Sequence, residues 1–142
     1  MTPTFDFSRF VAAQDPVLDR VRAELRNGRK ATHWMWFVFP QLDGLARSAT
    51  AKHYALHSLA EARAWLAHPL LGPRLLDCTG LVTAVMGRDI RAILGSPDDM
   101  KFHACMTLFA AAAPDQPAFP AALDRHYGGA RHAQTLTLLA GA

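Results

Sequence analysis

Cysteine is almost missing from this chain, which has only Cys78 and Cys105. They lie far apart and form no Cys-Xaa-Xaa-Cys pair, so neither a disulfide framework nor a cysteine metal site is indicated. Each sits among apolar helix-forming residues, where a buried reduced thiol is expected. No run of about 18 apolar residues is free of charges and helix breakers, so no membrane-spanning helix is expected. Met1 to Phe10 hold no basic segment followed by an apolar one. That argues against a secretory signal and for a soluble, cytoplasmic protein. Excess charge is scarce as well, with 15 Lys and Arg against 12 Asp and Glu and a formal net charge of +3. Apart from Arg26, Arg29 and Lys30 the basic residues are scattered, which argues against a nucleic-acid partner. There is no Gly-rich phosphate loop, no Gly-Xaa-Ser-Xaa-Gly elbow and no Cys-His-Asn arrangement. Nothing in the chain calls for a cofactor, and the oligomeric state is left open.

Half of the residues (51%) are hydrophobic and 19% are charged, with three Trp and eight Phe. That composition excludes a disordered chain. A length of 142 residues fits one domain spanning 1–142, able to bury about two thirds of its unfolded surface. No segment alternates polar and apolar residues over a strand's length. The chain reads as all-α, a single compact domain of seven or eight mostly short helices.

The helix signals run in order. Phe5, Phe7, Phe10 and Val11 predict a docked N-terminal arm or short helix over residues 1–14. Asp15-Pro16 predicts a helix start, with Asp as cap and Pro at the first position. Val17, Leu18, Val21 and Leu25 make its buried face and Asn27-Gly28 its end. Asp19, Arg20, Arg22, Glu24 and Arg26 read as its solvated face. Thr32 is positioned to cap a short helix through Phe39, closed by Pro40. Ser48 caps another, through about His57. Ser58 and Glu61 have capping-box spacing, so a helix carrying Trp65 and Leu66 begins there. Leu71, Leu75, Cys78, Val82 and Val85 form a helical stripe up to Gly87. Asp89 caps a short helix ending at Leu94-Gly95. Ser96-Pro97-Asp98-Asp99 is the strongest start signal, followed by an inward face of Phe102, Cys105, Met106 and Phe109. Ala110 to Pro120 reads as a loop, and two short helices follow at about 118–127 and 131–140.

The segment from His33 to Leu42 stands out, with two Trp, two Phe, a Met, a His and a Gln in ten residues. Aromatic side chains of this density anchor a core. His33 and Gln41 then fall at the rim of an aromatic surface, as in a ligand site.

With those residues in view, the chain resembles a bacterial family of small, mainly helical proteins of unknown function, often labelled calpastatin in genomes. His33-Trp34-Met35-Trp36, Phe39-Pro40-Gln41, Leu66-Ala67-His68-Pro69 and Met106-Thr107-Leu108-Phe109 carry the resemblance, which covers nearly the whole chain. It implies a single all-α domain and no established activity. Calpastatin-type inhibitors are disordered and poor in aromatics, whereas this composition must fold. The chain is also faintly similar to helical glycosidases that act on ADP-ribose-like and aminoribosyl compounds. Those proteins place a Glu near aromatics and later a Lys before Phe, parts that Glu61 and Lys101-Phe102 are positioned to play.

The candidate site residues follow. His33, Trp34, Trp36 and Gln41 are candidate binding residues, an aromatic wall with two polar handles. Glu61 is a candidate general acid/base or oxocarbenium stabiliser, the role of a carboxylate in sugar-bond cleavage. Its bland alternative is a capping carboxylate. Asp98 and Lys101, three apart on a helix, are either a surface ion pair or a phosphate-holding Lys oriented by an Asp. Arg74 is a second candidate for holding a phosphate. His53, His57 and Glu61 have metal-type spacing, but the Ser58 cap breaks the helix between them, so no metal site is assigned. The leading expectation is a binding domain for a nucleotide-like small molecule. The alternatives are an N-glycosidase, with Glu61 and Lys101 as catalytic residues, and a protein-interaction module.

Overall fold

A computed structural model describes residues 5–141, and these fold into ten α-helices. No helix among the described residues is long and apolar enough to cross a membrane. The all-α expectation holds, with seven of the ten helices at least seven residues long. Four helices form the body: α5 (Leu59–Ala67), α6 (Leu71–Ala84), α8 (Asp98–Ala112) and α9 (Ala118–Tyr127). Around them lie α1 (Ser8–Gln14), α2 (Leu18–Arg26), α3 (Met35–Val38), α4 (Ala49–His53), α7 (Ile90–Leu94) and α10 (Ala133–Ala140). Phe7 and Phe10 dock the N-terminal arm, whose first four residues lie outside the described region.

Helix α8 is the axis. Phe102, Cys105, Met106 and Phe109 are buried as expected, and so are Ala104, Leu108, Ala110 and Ala112. From Ala104 onward α8 is buried on nearly every face, as befits a helix stretch inside a core rather than on its surface. It runs to Ala112 instead of breaking at Ala110. Both thiols are unpaired and buried. Burial pushes Cys78 up to about 12, and Cys105 rises by the same cause. Neither is a nucleophile at neutral pH.

Several caps are those the sequence indicates. Ser48, Ser58 and Asp89 accept from the amides of Ala51, Glu61 and Ala92 at 3.1, 3.0 and 2.8 Å. Others differ, and each difference has a cause. Asp15 does not cap α2, because its carboxylate pairs with Arg74 at 2.9 Å and α2 begins after Val17. The helix capped by Ser48 stops at His53 rather than His57. Leu56 is instead drawn into a two-residue bridge, donating to the Gln41 carbonyl while Asp43 donates to its own. Many basic residues close helix ends, where cations and N–H donors are favoured. Arg63 donates to the Ala112 carbonyl at 2.9 Å and Arg125 to that of Val85 at 2.7 Å. The scattered charge thus serves the fold.

The turn between α5 and α6 is tight. The His68 imidazole Nδ1 accepts from the Leu70 and Leu71 amides. A Cβ on Gly72 would lie 1.9 Å from the Leu66 carbonyl oxygen. That neighbour is backbone and cannot swing away, so only glycine allows the two helices this approach. Gly72→Ala is expected to cost about 3 kcal/mol or more, read as a fall in the urea midpoint. A midpoint equal to wild type would show that the helices are farther apart.

Candidate functional site

The site grows from the end of α2. Gly28 adopts φ +68° and lets the chain reverse. The Arg29 amide donates to the Glu24 carbonyl and the Gly28 amide to that of Leu25, each at 3.0 Å. This is the left-handed helix ending that Asn27-Gly28 indicates. The Glu24 side chain then takes four donors from Ala31, Thr32 and Trp34. Its Oε1 accepts from the Ala31 amide (2.7 Å), the Thr32 amide (3.0 Å) and the Trp34 indole (3.0 Å), and its Oε2 from the Thr32 hydroxyl (2.6 Å). Burial alone would raise this carboxyl, but the hydrogen bonds outweigh it and hold the pKa down at about 2.

Glu24 therefore does not lie on a solvated face. It is 9% exposed and shares the buried side of α2 with Val21 and Leu25. The signal was its position three residues after Val21. Its grip on Thr32 also explains why Thr32 does not cap a helix through Phe39. Only one turn forms, from Met35 to Val38.

Three further bonds fix the loop. The Lys30 amide donates to the Ile93 carbonyl at 2.7 Å. Arg88 donates to the carbonyls of Gly28 and Ala92 at 2.9 and 2.7 Å. Lys30 is thereby set against the start of α8. Its ammonium lies 2.9 Å from Asp98 Oδ2, and Lys101 lies 3.4 Å from Oδ1 of the same carboxylate. The side chains are 7%, 18% and 20% exposed for Lys30, Asp98 and Lys101. The Lys30 ammonium stands 5.1 Å above the Trp34 ring and that of Lys101 4.8 Å above Trp36. Two cations thus share one carboxylate on an aromatic floor. Ser96 takes no part as a cap, since α8 begins after Pro97 without a side-chain bond.

These groups line a cleft of about 370 Å³ with His33, Met35, Trp36 and Pro97. A second cavity of about 250 Å³ shares Pro97 and Lys101 and adds Gln41, Met100, His132 and Gln134. Of the candidates, His33, Trp36, Asp98 and Lys101 therefore meet in one cleft, with Gln41 in the adjoining cavity. Trp34 is 1% exposed and supports the floor from beneath. Arg74 is held elsewhere, by Asp15 and by the Gln14 side-chain oxygen at 3.3 Å. Glu61 stands at the start of α5, where it accepts from the His57 amide at 3.1 Å and meets the His57 ring at 3.3 Å. It is not among the lining residues of either cavity. No three metal-type side chains cluster among the described residues. Lys30 was visible in sequence only as part of a short basic run, and nothing local pointed to Met100, His132 or Gln134.

The chain belongs to the DUF1810 family of proteins of unknown function, whose profile matches residues 4–139. A crystal structure of the conserved hypothetical protein Rv1873 from Mycobacterium tuberculosis is similar to it. The two share 55% identity over 96% of this chain and 97% of the other, with a TM-score of 0.94. No curated protein matches the chain.

Glu24 makes the stability of the loop depend on pH. Its carboxyl titrates lower when folded than its ordinary 4.5, so its contribution is full above about pH 5 and is lost as pH falls toward 2. Glu24→Ala, which leaves four donors unpaired, is expected to cost about 3–5 kcal/mol at pH 7. Glu24→Gln should flatten the fall in stability between pH 5 and 2, measured by urea unfolding. An unchanged pH slope in that variant would contradict the assignment.

Proposed function

We propose that this DUF1810 protein binds a small nucleotide-like molecule, with the ligand's anionic group seated between Lys30 and Lys101. The observation that carries this reading is the pair of largely buried lysines sharing a single carboxylate. Removing a charge from water is costly unless it is balanced. Here two positive charges face one negative charge, so an anion completes the balance. Each ammonium has three donors, and Asp98 takes one from each, which leaves donors for a phosphate or carboxylate. Trp36 and His33 give the seat a flat rim of the sort that ligand clefts use.

The position of Glu61 supports binding over N-glycosidic cleavage. Its carboxylate serves His57 and its own helix start, apart from the lysines. A hydrolytic role for Lys101 would need a carboxylate acting beside it, and Asp98 is already engaged with both lysines.

The test is calorimetric titration with AMP as the probe. Lys101→Ala leaves the Lys30–Asp98 pair intact and removes one cation. It should weaken binding at least tenfold, about 1.4 kcal/mol, and reduce the salt dependence. Glu61→Gln should bind within about twofold of wild type and leave AMP intact, an order-of-magnitude expectation for a residue outside the seat. Equal affinity for wild type and Lys101→Ala would overturn the reading.

A further inference from the structure

Resting on that reading, we infer that the cavity beyond Lys101 is a second subsite that takes an uncharged nitrogen heterocycle. The two cavities are not separate features, because Pro97 and Lys101 stand in the walls of both. A ligand whose anion sits at Lys30 and Lys101 therefore extends along Lys101 toward α10. The face of Trp36 is already covered by the Lys101 ammonium at 4.8 Å. The adjoining cavity of about 250 Å³, reached along Lys101, offers a place for a ring.

Its walls suit one class of group. Leu45 and Met100 provide apolar surface, and Gln41 and Gln134 each carry an amide that both donates and accepts. His132 adds a donor of fixed identity. Its Nδ1 caps α10, accepting from the Thr135 amide at 3.3 Å and lying 2.9 Å from the Thr135 hydroxyl. An Nδ1 that accepts holds a lone pair, so the ring proton is on Nε2 and the imidazole is neutral. Thr107 fixes this corner, because its hydroxyl accepts from the His132 amide at 2.9 Å. The pocket thus offers two amides and one N–H donor around an apolar patch, with no carboxylate in its wall. A heterocycle carrying ring nitrogens and a carbonyl or amino group matches that edge. A second anion or a simple alkyl chain does not.

The experiment compares ribose 5-phosphate, which has the anion without the ring, with AMP, GMP, CMP and UMP by calorimetry on the intact chain. At least one nucleotide should bind at least tenfold more tightly than ribose 5-phosphate. Gln134→Ala and Met100→Ala, both at exposed positions, should erase most of that preference. Both should leave ribose 5-phosphate affinity within about twofold, since neither residue touches the anion seat. If ribose 5-phosphate binds as well as all four nucleotides, the ring subsite is wrong while the anion seat stands. The same holds if the two variants weaken both kinds of probe alike. If neither kind of probe binds wild type, the anion seat itself falls, and the subsite with it.

Discussion

One buried carboxylate sets the geometry on which the cleft depends. Glu24 takes four donors from residues 31, 32 and 34 in a span of chain too short to form a helix. The Trp34 indole is buried and would otherwise have neither water nor a partner, at a cost of about 1–3 kcal/mol, while the bonds from Ala31 and Thr32 fix the half-buried loop above it. The same residue's backbone carbonyl closes α2. The end of a helix, the reversal at Gly28 and the entry of Trp34 into the core are therefore one event. Lys30 lies inside that clasp, and its place opposite Asp98 follows from it.

Asp98 completes the arrangement from the other side. As the first residue of α8 it sits at the positive end of a helix whose remaining length is locked in the core. A rigid axis on one wall and a clasped loop on the other give the two lysines fixed positions. Preorganised charge of this sort favours ligand binding, since little has to be ordered when the ligand arrives.

Much of the fold was legible in the sequence because its signals are local. The caps at Ser48, Ser58 and Asp89 and the end at Gly28 work within one turn of chain, and the structure has them. Signals that long-range contacts can override were misleading. Asp15 has the form of a cap and became an ion-pair partner for Arg74, while Thr32 was diverted by Glu24. The site was legible in part for the same reason. The aromatic density around Trp36 and the spacing of Asp98 and Lys101 lie within single segments. The approach of Lys30 to Asp98 joins two distant segments and leaves no local trace, and the wall contributed by α10 comes from farther still.

The most direct test of this account is a nitrogen–proton NMR titration of the isotopically labelled protein with AMP. The account predicts that the perturbed amides and indoles concentrate at residues 30–36 and 96–101 and, where the ring sits, around Gln41, Leu45, His132 and Gln134, with the Trp36 indole among them and the surroundings of Glu61 and Arg74 unmoved. Perturbations centred on Glu61 or Arg74, or none at saturating AMP, would contradict it.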